Sequence, residues 1–230
     1  PSIKHEFWQP CDVDYRLPHE RVLQDRTGYG PGAAGRGRPD WREKRIGETE
    51  DKVMADRIRV LLTEEEVDKR INEVAAKISE DYAGKQVHMI CILKGGVFFT
   101  CELAKRMTVP VSLDFMSVSS YGGGTVSSGV VRIVKDLDES LEGKDVLIVE
   151  DIIDSGRTLA YLIEVLKQRG PKSIHLCTLL DKPERRVKKQ VKVDYTCFTI
   201  PDEFVVGYGL DYDQKYRNLP YIGVVELDAE

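Results

Sequence analysis

One stretch near the middle of the chain constrains the fold more than any other. Residues 146–149 read Val-Leu-Ile-Val, a short apolar run that is typical of a strand buried on both faces of a parallel sheet. Two carboxylates, Glu150 and Asp151, follow at once, and residues 154–158 read Asp-Ser-Gly-Arg-Thr. A helical pattern then covers 159–169. This order predicts a buried strand whose acidic, small-residue end meets the N-terminus of a helix.

That position suits a ligand that carries a phosphate and a sugar. Ligands of open α/β sheets bind at the carboxyl ends of the strands. A turn of Ser, Gly and Thr aims N–H groups and hydroxyls at a phosphate, and the helix dipole favours the anion. The two carboxylates are suited to accept hydrogen bonds from sugar hydroxyls. The plain alternative is an ordinary turn with solvated acids. A Walker A loop is a poorer match, because Gly-x-x-x-x-Gly-Lys-Ser/Thr does not occur in the sequence.

Composition narrows the class of protein. Hydrophobic residues make up 41% and charged residues 32% of 230, as in a soluble globular protein. A net charge of −5 disfavours a non-specific nucleic-acid binder, and every apolar run is far shorter than the roughly 18 residues of a membrane span. Residues 1–25 contain no apolar block typical of a secretory signal, and the five cysteines form no Cys-x-x-Cys pair. We therefore expect a cytoplasmic protein without nucleic-acid or membrane partners.

The chain divides into an extension and one domain. Residues 1–56 are rich in charge, Pro and Gly and show no period, which predicts a low-complexity, disordered or loosely attached extension. Residues 57–230 form the predicted domain, where Thr63 and Glu66 make a capping box before the first helix. Helices are predicted after Thr63 and over 97–107 and 159–169, and strands over 87–93, 111–118, 130–135, 146–149, 173–180, 194–200 and 221–225. This alternation predicts an α/β fold with a doubly wound, mostly parallel sheet.

Residues 146–158 closely resemble the 5-phosphoribosyl 1-pyrophosphate (PRPP) motif of the type I phosphoribosyltransferases. Further segments resemble the hypoxanthine branch of that family, in its bacterial form: Leu-Lys-Gly-Gly at 93–96, Ser-Tyr-Gly at 120–122, Leu-Leu-Asp-Lys-Pro at 179–183, and 200–212 with its extension 217–223. The match covers about residues 57–230 and keeps the family's order. It implies the type I fold with a small hood subdomain formed largely by the C-terminal segment.

The resemblance also implies an activity. It is the Mg²⁺-dependent transfer of the 5-phosphoribosyl group from PRPP to hypoxanthine and guanine, which gives IMP or GMP and pyrophosphate in purine salvage. The implied partners are these small molecules and further copies of the chain in a homodimer or homotetramer. Two alternatives stay open: a PRPP-binding regulator with the same fold, and a phosphoribosyltransferase for another base such as xanthine.

The roles of individual residues come from the same resemblance. Asp154 is the catalytic residue, a proton partner for purine N7, and its plain alternative is a helix N-cap. The PRPP-binding set is Lys94, Gly95, Glu150, Asp151, Asp154, Ser155, Gly156, Arg157, Thr158 and Arg217. The base-binding set is Lys182, Phe204, Val205 and Asp211, with Lys182 donating to O6 and Phe204 stacking on the ring.

The resemblance places the metal and the lid as well. Mg²⁺ is expected at Glu150, Asp151 and Asp211, directly or through water. Ser120 and Tyr121 belong to a loop at 119–129 that is expected to close over pyrophosphate and exclude water. The Leu93–Lys94 peptide bond is cis in the family. Asp211 and Arg217 read alone are ordinary surface charges, and the loop read alone is a plain hairpin connection.

Overall fold

Two sheets form the frame of the chain. The computed structural model describes residues 57–120, 131–187 and 191–226. The strands are β1 (Arg57–Leu62), β2 (Val87–Leu93), β3 (Val111–Ser120), β4 (Val131–Lys135), β5 (Asp145–Ile153), β6 (Ser173–Asp181), β7 (Tyr195–Thr199), β8 (Val205–Val206) and β9 (Ile222–Glu226). The central sheet has the order β4-β3-β2-β5-β6-β7, and a smaller sheet has the order β1-β9-β8. Predictions made for residues 1–56 and for Tyr121 lie outside the described residues.

The central sheet is doubly wound, as predicted. β2 pairs in parallel with both β3 and β5, β5 with β6, and β6 with β7, while β4 returns antiparallel to β3. Helices α1 (Glu64–Asp81) and α2 (Val97–Arg106) pack on one face through residues such as Val67 and Phe99. Helix α3 (Arg157–Lys167) packs on the other face through Leu162. A hydrophobic core lies on each face of the sheet. Strands β2 and β5 contribute side chains to both cores, because successive residues of a strand point to opposite faces.

Helix α1 begins at the predicted capping box. The Glu66 carboxylate accepts the Thr63 N–H at 2.8 Å, and the Thr63 hydroxyl accepts the Glu66 N–H at 3.2 Å. These bonds lower the pKa of Glu66 and satisfy two otherwise unpaired donors. The pattern predicted from Thr63 onward is thus confirmed at the level of single hydrogen bonds.

Two features of the sheets differ from the prediction. β1 was not predicted, and it pairs antiparallel with β9 at the far end of the chain, so the smaller sheet draws on both ends of the domain. β5 continues to Ile153 instead of ending at Val149, because its pairing with β6 continues to the pair Ile153 and Asp181. Glu150 and Asp151 therefore lie inside the strand. Because they are consecutive residues, their side chains leave the backbone toward opposite faces of the sheet.

A helix that crosses a membrane is long and apolar along its whole length. Among residues 57–120, 131–187 and 191–226, none of the helices is long and apolar enough to cross a bilayer. The cytoplasmic location stays a prediction.

Candidate active site

The turn that is predicted to bind phosphate follows β5 directly. Gly156 takes a left-handed backbone with φ of 71°, which glycine adopts without a Cβ clash, and α3 begins at the next residue. The Arg157 N–H lies 3.4 Å from the Ser155 hydroxyl oxygen, and the Ser155 carbonyl accepts the N–H of Val187. The positive end of the α3 dipole therefore faces the turn formed by residues 154–156. This geometry agrees with the predicted phosphate site, and the roles of Ser155, Gly156, Arg157 and Thr158 stay predictions.

The Asp154 carboxylate lies beside a cation that the sequence analysis did not select. Arg185 Nε donates to Asp154 Oδ1 at 2.9 Å, and Arg185 Nη2 lies 3.5 Å from Oδ2. Arg185 Nη1 also reaches Asp202 Oδ2 at 3.3 Å. The N-cap of α3 is Gly156, which makes no side-chain cap bond, so the alternative role of Asp154 as a helix cap is not observed. Asp154 is thus an ion-pair partner of Arg185.

A cleft of about 530 Å³ opens beside this pair. Its lining residues are Ile152, Asp154, Lys182, Arg185, Asp202, Glu203, Phe204, Val205, Leu210 and Asp211. Lys182 is 8% exposed, and its ammonium donates to the Glu203 carbonyl at 2.5 Å. The Phe204 ring is 52% exposed and meets the Tyr212 ring edge-on at a centroid distance of 5.4 Å. All four residues of the predicted base-binding set thus line one cleft with Asp154.

The two carboxylates at the end of β5 are difficult to ionise. Burial raises the pKa of Glu150 well above its usual value, and the charge of Asp151 adds to the effect. Burial likewise raises the pKa of Asp151 to about 6, against hydrogen bonding from the Ile152 N–H and the charge of Arg217. Glu150 Oε2 is buried without a hydrogen-bond partner among the described residues. A ligand that brings donors or a cation would stabilise both groups.

Glycines let two distant segments approach this acidic end. A Cβ placed on Gly95 would collide with the Asp151 carboxylate, and one placed on Gly209 would collide with the Gly95 carbonyl oxygen. The peptide bond between Leu93 and Lys94 is cis, as expected. Gly95 therefore lies between Asp151 and Gly209, which is 114 residues further along the chain.

The loop after Gly209 forms a compact charged cluster. Arg217 Nη2 lies 2.6 Å from Asp211 Oδ1, and Arg217 Nη1 donates to the Gly209 carbonyl at 2.6 Å. Asp211 Oδ2 accepts the backbone N–H of Gln214 at 2.8 Å. The Lys94 ammonium donates to the Gln214 side-chain oxygen at 3.0 Å, which joins this loop to the turn after β2. Lys94, Asp211 and Arg217 were predicted from the sequence, whereas Gln214 was not.

The lid prediction is only partly within the described residues. Ser120 is the last residue of β3. Tyr121 and most of the loop lie outside the residues that the structure describes. β4 does return antiparallel, with Val118 paired with Ile133. The closing motion of the loop stays a prediction.

The donor set fits Mg²⁺ only together with a substrate. The described residues contain no group of three or more His, Cys, Asp or Glu arranged to hold a metal ion. Mg²⁺ usually keeps several waters and binds through one or two carboxylates and substrate oxygens. The unpartnered Glu150 oxygen and the neighbouring Asp151 suit that mode, whereas both Asp211 oxygens already accept hydrogen bonds or face a cation. The cofactor therefore stays a proposal.

Comparisons with known proteins agree with this geometry. Residues 60–213 match the phosphoribosyl transferase domain. The hypoxanthine-guanine phosphoribosyltransferase of Streptococcus thermophilus is 51% identical over 168 residues, 73% of this chain and 93% of that protein. The Bacillus subtilis enzyme of the same name is 52% identical with the same coverage. The crystal structure of a Staphylococcus aureus hypoxanthine phosphoribosyltransferase has a TM-score of 0.72 and 49% identity, and the match covers 78% of this chain and 97% of that one.

These matches confirm the type I fold and the resemblance to the hypoxanthine branch. The matched range 60–213 includes the turn at 154–158, the residues that line the cleft beside Asp154, and Gly95. This chain therefore belongs to the phosphoribosyl transferase family, among relatives that are hypoxanthine-guanine phosphoribosyltransferases.

Proposed function

We propose that this protein transfers the 5-phosphoribosyl group of PRPP to N9 of a 6-oxopurine, hypoxanthine or guanine. The observation that carries the proposal is the single cleft that joins Asp154, Lys182 and Phe204 to the phosphate turn before α3. A glycosyl transfer needs the anionic sugar phosphate and the flat base held beside a proton acceptor. The names of the relatives support the same reaction.

The proposed role of the β5 end is to hold the phosphoribosyl group. The turn Ser155–Thr158 binds the 5′-phosphate, and Glu150 and Asp151 accept hydrogen bonds from the ribose hydroxyls. Lys94 and Arg217 face the pyrophosphate side of the same end through the Gln214 and Asp211 cluster. As the C1–O bond to pyrophosphate breaks and the bond to N9 forms, these cations stabilise the charge that leaves.

The proposed role of the cleft is to bind the purine and manage its proton. Lys182 donates to O6, Phe204 stacks on the ring, and the Val205 backbone faces the N1 edge. Asp154 accepts the proton at N7 or stabilises the protonated ring. Arg185 must release the Asp154 carboxylate for that contact, because its guanidinium contacts both oxygens.

The metal, the lid and the assembly complete the proposal. Mg²⁺ would be held by Glu150, Asp151 and Asp211 with the substrate, and when bound it neutralises charge on the pyrophosphate. Ser120 and Tyr121 would close over the site and exclude water. A homodimer or homotetramer in the cytoplasm completes the proposed setting.

A four-base assay tests the function. Purified protein is given PRPP and Mg²⁺ with hypoxanthine, guanine, xanthine or adenine, and kcat/KM is measured from ultraviolet absorbance. We expect good use of hypoxanthine and guanine and about 10⁴-fold poorer use of adenine, because its 6-amino group presents a donor to the Lys182 donor. A preference for xanthine would instead indicate a phosphoribosyltransferase that acts on xanthine. No turnover with any base would favour the PRPP-binding regulator.

Lys182→Ala separates base recognition from PRPP binding. The variant should have a lower kcat/KM for hypoxanthine and for guanine, by a similar factor, and a smaller difference in kcat/KM between these bases and adenine. The KM for PRPP should stay nearly constant. Lys192→Ala serves as the matched control, because Lys192 is paired with Asp194 outside the cleft. Adenine use by the unmodified protein equal to that of hypoxanthine would contradict the Lys182 role.

A further inference from the structure

Gln214 connects the two segments that are proposed to bind pyrophosphate. Its side-chain oxygen accepts the Lys94 ammonium at 3.0 Å, and its backbone N–H donates to Asp211 Oδ2 at 2.8 Å. Its side-chain nitrogen lies 3.4 Å from the same Asp211 oxygen. One residue thus contacts the turn after β2 and the carboxylate that pairs with Arg217.

The backbone at Gln214 is unusual for such a residue. Asp213 and Gln214 are both left-handed, with φ of 48° and 65°, and they form the tight turn between Tyr212 and Lys215, whose backbones exchange two hydrogen bonds. Turns of this shape favour Asn and Gly, because a longer side chain is strained in the left-handed region. A strained residue persists where its surroundings hold it, and such residues cluster at ligand clamps.

The contacts indicate what the side chain does there. Lys94 is an exposed side chain on a flexible four-carbon stem, and the Gln214 oxygen is the side-chain acceptor that fixes its ammonium. An uncharged amide can hold the ammonium without neutralising it, so the positive charge remains available to an anion. The same residue orients Asp211 toward Arg217.

We propose that Gln214 is a positioning residue that presents the Lys94 ammonium and the Asp211–Arg217 pair to the pyrophosphate group of PRPP. The inference rests on the proposed function and adds a residue to its site. It assigns Gln214 to PRPP binding: Asp211 also lines the cleft beside Asp154 and Lys182, whereas Gln214 is not among the residues that line it. A residue that only stabilised the turn would affect folding and not the choice of substrate.

Two substitutions separate positioning from turn stability. Gln214→Gly removes the amide and relieves the left-handed strain, and Gln214→Asn keeps an amide and tolerates the same backbone but is one methylene too short to reach Lys94. Both variants should unfold at a temperature no lower than that of the unmodified protein. Both should bind PRPP about tenfold more weakly, the loss expected for one hydrogen bond to a charged group.

The measurements are calorimetric titration with PRPP in the absence of a purine, thermal unfolding, and KM for PRPP and for hypoxanthine. We expect the Kd and KM for PRPP to rise together while the KM for hypoxanthine stays within about twofold. Gln168→Asn, at the C-terminal end of α3, is the matched control and should change none of these values.

Unchanged PRPP affinity in both variants would overturn the inference, as would weaker PRPP binding that only accompanied a lower unfolding temperature. An equal rise in KM for hypoxanthine would also overturn it. Absence of turnover in the unmodified protein would instead overturn the proposed function, and titration with PRPP would still report on Gln214.

Discussion

Asp154 is the residue whose substitution separates chemistry from binding most directly. Asp154→Asn keeps the turn at 154–158 and removes the carboxylate that is proposed to accept the proton, so turnover should fall on the order of 10²-fold while the Kd for PRPP changes little. Steady-state kinetics and calorimetric titration measure the two quantities. Asp136→Asn is the control, since Asp136 pairs with Arg169 outside the cleft. Unchanged turnover in Asp154→Asn would show that the carboxylate has only a structural role.

The buried Asp151 carboxyl leads to a prediction about how the stability of the fold depends on pH. Its pKa of about 6 in the fold lies above the usual value of 3.8, so the folded state binds more protons between those values and stability falls as pH rises through 6. Asp151→Asn should therefore raise the unfolding temperature by roughly 6 °C or more at pH 8, and the gain should shrink at pH 5. Thermal unfolding in metal-free buffer without PRPP measures this. Asp213→Asn, an exposed left-handed position, should show no such trend, and a gain independent of pH would contradict the explanation.

Two residues whose partners lie far away in the sequence were not predicted as part of the site. Arg185 reaches Asp154 across 31 positions, and Gln214 reaches Lys94 across 120. Neither lies at a spacing that a local pattern reveals, because both contacts depend on how the strands assemble. Asp154 and Lys182 were predicted because they stand in short motifs that resemble those of a known family.

At the scale of elements, Gly95 joins the turn after β2 to the end of β5. Gly95→Ala would push a methyl group against the Asp151 carboxylate, so kcat/KM should fall at least tenfold. Gly84→Ala is the contrasting variant: it has open space around it but a left-handed φ of 76°, so it should lose about 1 kcal/mol of stability and keep its activity. The assay and thermal unfolding are run on both. Activity retained in Gly95→Ala would show that the approach to Asp151 is not needed.

The strands and helices that were predicted correctly are those whose sequence pattern is visible within a few consecutive residues. β2 has the predicted bounds, and α1 starts at the predicted cap. β1 was missed because its burial pattern does not alternate cleanly and because its partner β9 lies more than 160 residues away. The end of β5 was placed too early because acidic residues read as the end of a strand, whereas pairing with β6 carries the strand past them.

At the scale of the whole molecule, the N-terminal extension is expected to be dispensable. The proposed site residues begin at Lys94, and β1 begins at Arg57. Removing residues 1–50 should therefore leave kcat/KM within about twofold and the unfolding temperature nearly unchanged. The boundary at residue 57 stays a prediction until that measurement. A large loss of either quantity would assign the extension a part in folding or assembly.

The ion pair of Arg185 and Asp154 makes the two substrates respond differently to ionic strength. Both side chains are about half exposed, so dissolved salt screens their attraction and lowers the cost of freeing the carboxylate for a neutral purine. PRPP is an anion, and the same salt weakens its attraction to Lys94 and Arg217, the cations that are proposed to bind it. Added potassium chloride should therefore raise the KM for PRPP and lower the KM for hypoxanthine. A cell's ionic composition would then set which of the two substrates limits the enzyme.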